Sequence, residues 1–109
     1  MTIDDRDDDR SVVAVSGEVD VYTAPTLREH LNGRIADGAT DLVVDLSDVG
    51  FMDSTGLGVL VGALKRLRQA GGDMQVICTS EPVLKIFRIT GLEGVLGVVT
   101  SPEELSSSD

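Results

Sequence analysis

Residues 51–72, FMDSTGLGVLVGALKRLRQAGG, constrain what this chain can fold into more than any other stretch. Leu57, Leu60, Val61, Leu64 and Leu67 recur at the i, i+3, i+4, i+7 spacing of one helix face, which predicts an amphipathic helix over about residues 54–70. Lys65, Arg66 and Arg68 fall near its C-terminal end, where cations suit the helix dipole, and Gly71 with Gly72 supplies the stop. Asp53, Ser54 and Thr55 mark the start. Ser54 is read as the N-cap, its hydroxyl accepting from a free backbone N–H of the first turn. Unpaired N–H groups and the positive dipole end also make that turn an anion site. Gly56 and Gly58 each cost about 1 kcal/mol of helix propensity relative to Ala. Their presence implies a bare first turn that another molecule approaches closely.

A chain of 109 residues makes one domain that buries roughly 65% of its unfolded surface. A single cysteine, Cys78, excludes an internal disulfide framework and reads as core of an apolar strand. No apolar run reaches the roughly 18 residues of a membrane span. Met1 leads into acidic residues, not a basic and then apolar leader, so a soluble cytoplasmic protein is expected. The net charge is −10 and lopsided: residues 1–54 (13 acids, 4 bases) carry −9, residues 55–109 (6 acids, 5 bases) carry −1. Nucleic acid and anionic membrane are poor partners for such a surface. A protein with a basic face is a better one.

In chain order, DDRDDDR at residues 4–10 reads as a solvated arm or hairpin tip. SVVAVSG at 11–17 is a β-branched strand with Glu18 and Asp20 at its exit. Thr23, Ala24 and Pro25 open a helix in which Leu27, Leu31 and Ile35 repeat every four residues, and Gly38 ends it. DLVVDLS at 41–47 has the near-continuous apolar pattern of a strand covered on both faces. MQVIC at 74–78 is a strand, and Thr79 or Ser80 caps a helix from about Pro82 that Gly91 closes. VLGVV at 95–99 is the last strand. SPEEL at 101–105 carries a capping box, and SSSD is a frayed tail.

Strands alternating with helices predict an α/β domain with a small, mixed, mostly parallel sheet. In such sheets ligands and partners collect beyond the carboxyl ends of the strands. The segments 17–23 and 48–58 both exit strands, which puts Glu18, Asp20, Asp53, Ser54 and Thr55 on one rim. Enzymatic chemistry finds little support there. The only histidine, His30, lies in a polar helix face and reads as solvated. No phosphate-cradling GxxxxGK[ST] loop is present, and Asp45, Asp48 and Asp53 lack the spacing of a calcium loop. A phosphoryl-accepting receiver domain would need adjacent acids after the first strand and a lysine after the last, and neither is here. A module switched by phosphorylation of a helix-terminal hydroxyl is the other class considered.

The segments FMDSTGLGVLVGALKRLRQAGG, VSGEVDVYTAPTLREHL and LKIFRITGLEGVL resemble the anti-sigma factor antagonists of the STAS domain family over about residues 11–105. The resemblance implies a single STAS-like domain, a small mixed sheet with about four helices, over residues 1–109. The acidic run stands where that family has its first strand, so residues 1–10 are expected as an acidic arm or as an edge hairpin containing Thr2 and Ile3. The implied function is non-enzymatic. The dephosphorylated protein would bind an anti-sigma factor that is also a serine kinase and so free a sigma factor; phosphorylation would break the complex and a PP2C-type phosphatase would reset it. Ser54 matches the family's phosphoacceptor. Glu18, Asp20, Asp53, Ser54, Thr55, Gly56 and Gly58 are the expected partner-binding residues, with no cofactor and no metal. The alternative is a STAS interaction module of another signalling assembly, or a sensor of a small ligand.

Overall fold

The computed structural model describes residues 1–7 and 10–105. Strands β1 (Thr2–Asp5), β2 (Ser11–Val19), β3 (Asp41–Met52), β4 (Asp73–Ile77) and β5 (Val98–Val99) form one sheet in the order 1-2-3-4-5. β1 runs antiparallel to β2, and every later pair is parallel. Helices α1 (Ala24–Ala36), α2 (Ser54–Gln69) and α3 (Glu81–Thr90) are the three crossovers. Right-handed crossovers between strands laid down in sequential order put every helix on one face. The core agrees: Leu27 and Leu31 of α1, Leu57, Leu60, Leu64 and Leu67 of α2, and Val83 and Phe87 of α3 share one buried cluster with Val13, Val44, Val76 and Cys78 of the sheet.

Leu42, Val43 and Val44 are buried in succession, so β3 is covered on both faces there as expected, although the helices lie on one face only. Val43 and Ile77 are buried outside the main cluster, flanked in register by Val12 and Gln75 and by Asp45 and Val99 respectively. Several expectations need correction. The last strand shrinks to two residues because the N–H groups of Leu96 and Gly97 are taken by the carbonyls of Leu92 (2.9 Å) and Gly94 (3.2 Å) in a turn that ends where β5 begins. Of the four helices expected, the last is only a 3-10 turn, Pro102–Glu104. Ser101 makes no side-chain cap there. The Glu104 carboxylate instead accepts from the backbone N–H (2.8 Å) and hydroxyl (3.0 Å) of Thr100, one residue earlier than the capping box required. Ser80 does stand at the N-cap of α3, but its side chain makes no cap bond. The SSSD tail lies outside the described residues.

The acidic start of the chain is an edge strand tied to α1. Arg34 forks onto Asp7 (2.8 and 2.6 Å) and lies 3.6 Å from Asp5, while His30 Nε2 is 2.8 Å from Asp5 Oδ1. His30 is therefore half-buried and paired, not simply solvated. The hydrogen bond from Arg34 holds the Asp7 carboxyl below its ordinary range, and Asp7 in turn raises Arg34. Asp8 and Asp9, in the middle of the run, lie outside the described residues.

The C-terminus of α2 is closed as its glycine pair foretold. Gly71, at φ +84, donates to the Arg68 carbonyl (3.1 Å), and Gly72 reaches back to the Leu67 carbonyl (2.8 Å), the double bond of a Schellman motif. A Cβ on Gly72 would sit on top of the Thr40 carbonyl oxygen at the start of β3. Gly72→Ala is therefore expected to destabilise the domain by about 1–3 kcal/mol, seen calorimetrically as a melting point lowered by at least about 5 °C. An unchanged melting point would show that the α2–β4 turn has slack the structure lacks.

Candidate functional site

The parallel pairing of β2 with β3 brings both exit loops to one edge, Glu18 opposite Phe51 and Val19 opposite Met52. Beyond the ladder, the Asp53 N–H donates to the Val19 carbonyl (3.2 Å), so the start of α2 is hydrogen-bonded to the end of β2. The rim inferred from sequence exists. Among the expected residues, Glu18, Ser54 and Gly58 are exposed, Asp20, Asp53 and Thr55 are half-buried, and Gly56 is buried.

Their roles differ from the expected ones. Asp53, not Ser54, is the N-cap of α2: its Oδ1 accepts from the N–H groups of Thr55 (2.9 Å) and Gly56 (3.2 Å), and its carbonyl accepts from Leu57 (3.1 Å). A carboxylate satisfies orphan N–H groups as a hydroxyl does and adds a charge favourable to the dipole. Ser54 is the first helical residue, exposed, and its hydroxyl makes no hydrogen bond to any described residue. The anion site expected in the first turn is thus already filled by Asp53.

Gly56 is not a window for a partner. A Cβ there would lie 2.7 Å from Val19 Cγ1 and 3.0 Å from Met52 Cγ, so the missing side chain lets α2 close onto the ends of β2 and β3. Gly58 fits the original expectation, being exposed with nothing within 4 Å of its would-be Cβ.

Asp20 is likewise spent internally. Its Oδ1 accepts from the N–H groups of Tyr22 (2.9 Å) and Thr23 (3.0 Å) and from the Thr23 hydroxyl (3.1 Å). The Asp20 N–H donates back to Thr23 Oγ1 (2.9 Å), which also lies 3.0 Å from the Glu18 carbonyl. The Thr23 and Tyr22 N–H bonds hold the Asp20 carboxyl below its ordinary range. Sequence reasoning did not single out Thr23 as the lock of this turn; its signal was a hydroxyl three residues after an aspartate.

The rim is strongly one-signed. Glu18, Asp20, Asp48 and Asp53 fall in the segments 17–23 and 48–58 at the ends of β2 and β3, while residues 11–27 and 35–64 contain no lysine or arginine. Asp45 carries no metal-like constellation; its Oδ1 accepts from the N–H (2.9 Å) and hydroxyl (2.6 Å) of Ser47. Among the described residues, no three His, Cys, Asp or Glu side chains converge to hold a metal ion, and no helix is long and apolar enough to cross a membrane.

This α/β sheet with a hydroxyl presented at the first turn of its central helix belongs to a known class: the chain matches the STAS domain family over residues 2–105 and is a member of it. Among individual proteins, it is 44% identical over 91 residues to the anti-sigma-B factor antagonist of Bacillus subtilis, covering 84% of this chain and 83% of that one. It is 37% identical over 109 residues to the anti-sigma-B factor antagonist of Listeria monocytogenes, covering 100% and 96%. A crystal structure of an anti-sigma factor antagonist from Mycobacterium paratuberculosis superposes with a TM-score of 0.87 at 33% identity, covering 94% of this chain and 88% of that one.

The reassigned cap yields a stability ordering. Asp53→Ala is expected to lower unfolding free energy by about 1 kcal/mol, whereas Ser54→Ala, an exposed first-turn change, should stay within about 0.5 kcal/mol of the parent. Urea titrations giving the reverse order would return the cap to Ser54.

Proposed function

We propose that this protein is a phosphorylation-switched anti-sigma factor antagonist. With Ser54 unmodified, the acidic rim binds an anti-sigma factor that is also a serine kinase and so frees a sigma factor for transcription. That kinase phosphorylates Ser54 and ends the complex, and a PP2C-type phosphatase restores it. The protein itself performs no catalysis and works in the cytoplasm. The observation that carries this reading is the free, exposed Ser54 hydroxyl at the start of α2, in a member of a family whose similar proteins bear the name of anti-sigma factor antagonists.

The chemistry of the switch follows from charge. A kinase that accepts Ser54 must bring nucleotide phosphates and catalytic carboxylates close to it. Phosphorylation adds about −1.5 to −2 charges at that point. Two like charges about 6 Å from one carboxylate repel by up to about 5 kcal/mol at an effective dielectric near 20, and solvent leakage leaves a few. A few kcal/mol is about a hundredfold in affinity.

Incubation with the cognate kinase and ATP is expected to place phosphate on Ser54 alone, as read by phosphopeptide mapping; Thr55 is half-buried and its N–H is held by Asp53. In calorimetry Ser54→Ala should bind the anti-sigma factor as the parent does, and Ser54→Glu, with one charge, about tenfold more weakly. Phosphate on Thr55, or equal affinities for the two variants, would remove Ser54 from the switch.

Phosphorylation should leave the fold nearly untouched. The helix dipole stabilises the new charge by about 0.3–1 kcal/mol, and the Asp53 cap opposes it by about 1 kcal/mol, so the two nearly cancel. Melting points of the two forms should agree within about 5 °C. A much earlier melt of the phosphorylated form would mean that modification acts by unfolding the first turn of α2.

A further inference from the structure

The β2–α1 turn, held by the Asp20–Thr23 hydrogen bonds, presents a tyrosine to solvent. Tyr22 is 87% exposed and the preceding Val21 56%. On the same edge Phe51, opposite Glu18 in the ladder, is 47% exposed. These are three of the six exposed large apolar residues among those described, and two of the chain's three aromatics. Of the other three, Met1 lies against Gly17 at the start of the β2 exit segment, whereas Ile89 belongs to α3 and Val95 to the segment before β5. Packing inside the domain does not use the Tyr22 ring, and its hydroxyl bonds to no described residue.

Aromatic side chains contribute large contact area for little lost rotamer freedom, and they dominate the centres of protein interfaces. A turn already locked by hydrogen bonds costs less to order on binding than a loose one. Charge selects the partner's chemistry: the exit segments 17–23 and 48–58 around this apolar group hold Glu18, Asp20, Asp48 and Asp53 and no lysine or arginine, so acidic groups outnumber the Met1 ammonium that lies beside Gly17. The complementary surface is an apolar recess edged by basic side chains.

Building on the antagonist reading above, we propose that Tyr22, with Val21 and Phe51 on the same edge, is the apolar anchor by which the rim docks the anti-sigma factor. Asp20 then acts as a positioning residue that holds the turn, without touching the partner. Ser54 supplies the switch and Tyr22 supplies affinity.

The test is calorimetry of the full chain with the purified anti-sigma factor kinase of its own cell. Tyr22→Ala is expected to weaken binding at least about tenfold, Tyr22→Phe to stay within about threefold, and both to melt with the parent because the ring is outside the core. Asp20→Ala should weaken binding through the loosened turn, and the double variant should bind no worse than Tyr22→Ala alone. Tyr22 is the only tyrosine, so ring-labelled tyrosine gives one set of signals. These should shift when the kinase is added. Undiminished binding by Tyr22→Ala, or unshifted ring signals, would overturn the anchor while leaving the antagonist reading intact. Additive losses from Asp20→Ala and Tyr22→Ala would overturn the positioning role. A parent chain that does not bind the kinase at all would sink the antagonist reading and the anchor with it.

Discussion

The hydrogen bonds of Asp53 hold together the end of the molecule where β2, β3 and α2 meet. Its N–H is bonded to the exit of β2, its carboxylate closes the first turn of α2, and its carbonyl begins the helical ladder. One residue thus fixes where β3 ends, where α2 begins and how both sit against the neighbouring strand. Ser54 inherits its exposure from that arrangement. With the Thr55 and Gly56 N–H groups satisfied by Asp53, the serine hydroxyl is free of structural duty.

Close packing completes the joint. Val19 and Met52 lie so near Gly56 that no Cβ fits between them, which presses the N-terminus of α2 onto the sheet edge. Register shifts in the β2–β3 ladder, between Ala14 and Ser16 and between Gly17 and Glu18, break the alternation of β3. Ser47 and Asp48 are both exposed, as are Gly50 and Phe51, while Val49 and Met52 remain in the core. Bulges of this kind turn side chains that strict alternation would bury, and here one result is that Phe51, at the end of β3, is half exposed.

Charge is divided between structure and recognition. Asp5 and Asp7 are held by Arg34 and His30, which docks the edge strand on α1. The exit segments of β2 and β3 contain no lysine or arginine, and the cation whose charge reaches Asp20 there is the chain's own N-terminal ammonium. Even within the rim the division continues. Asp20 and Asp53 each satisfy backbone N–H groups, while Glu18 has no side-chain partner among the described residues.

The amino-acid sequence by itself determined the α/β class, the amphipathic stripe of α2, its glycine stop and the meeting of the two exit loops, because hydrophobic period and turn chemistry are local properties that survive whatever the chain packs against. It drew attention to Ser54 by two routes, capping and motif resemblance, and the capping route fails because Asp53 is the N-cap. Which of two adjacent capping residues closes the helix was not local: Asp53 won because its N–H is bonded to Val19, on a strand more than thirty residues away, which leaves it extended at the helix start. The burial of Gly56 and the pairing of His30 with an aspartate 25 residues earlier likewise depend on contacts between distant segments. A residue's type lists the bonds it is able to make; only the assembled sheet and helices decided which donor or neighbour reached it first.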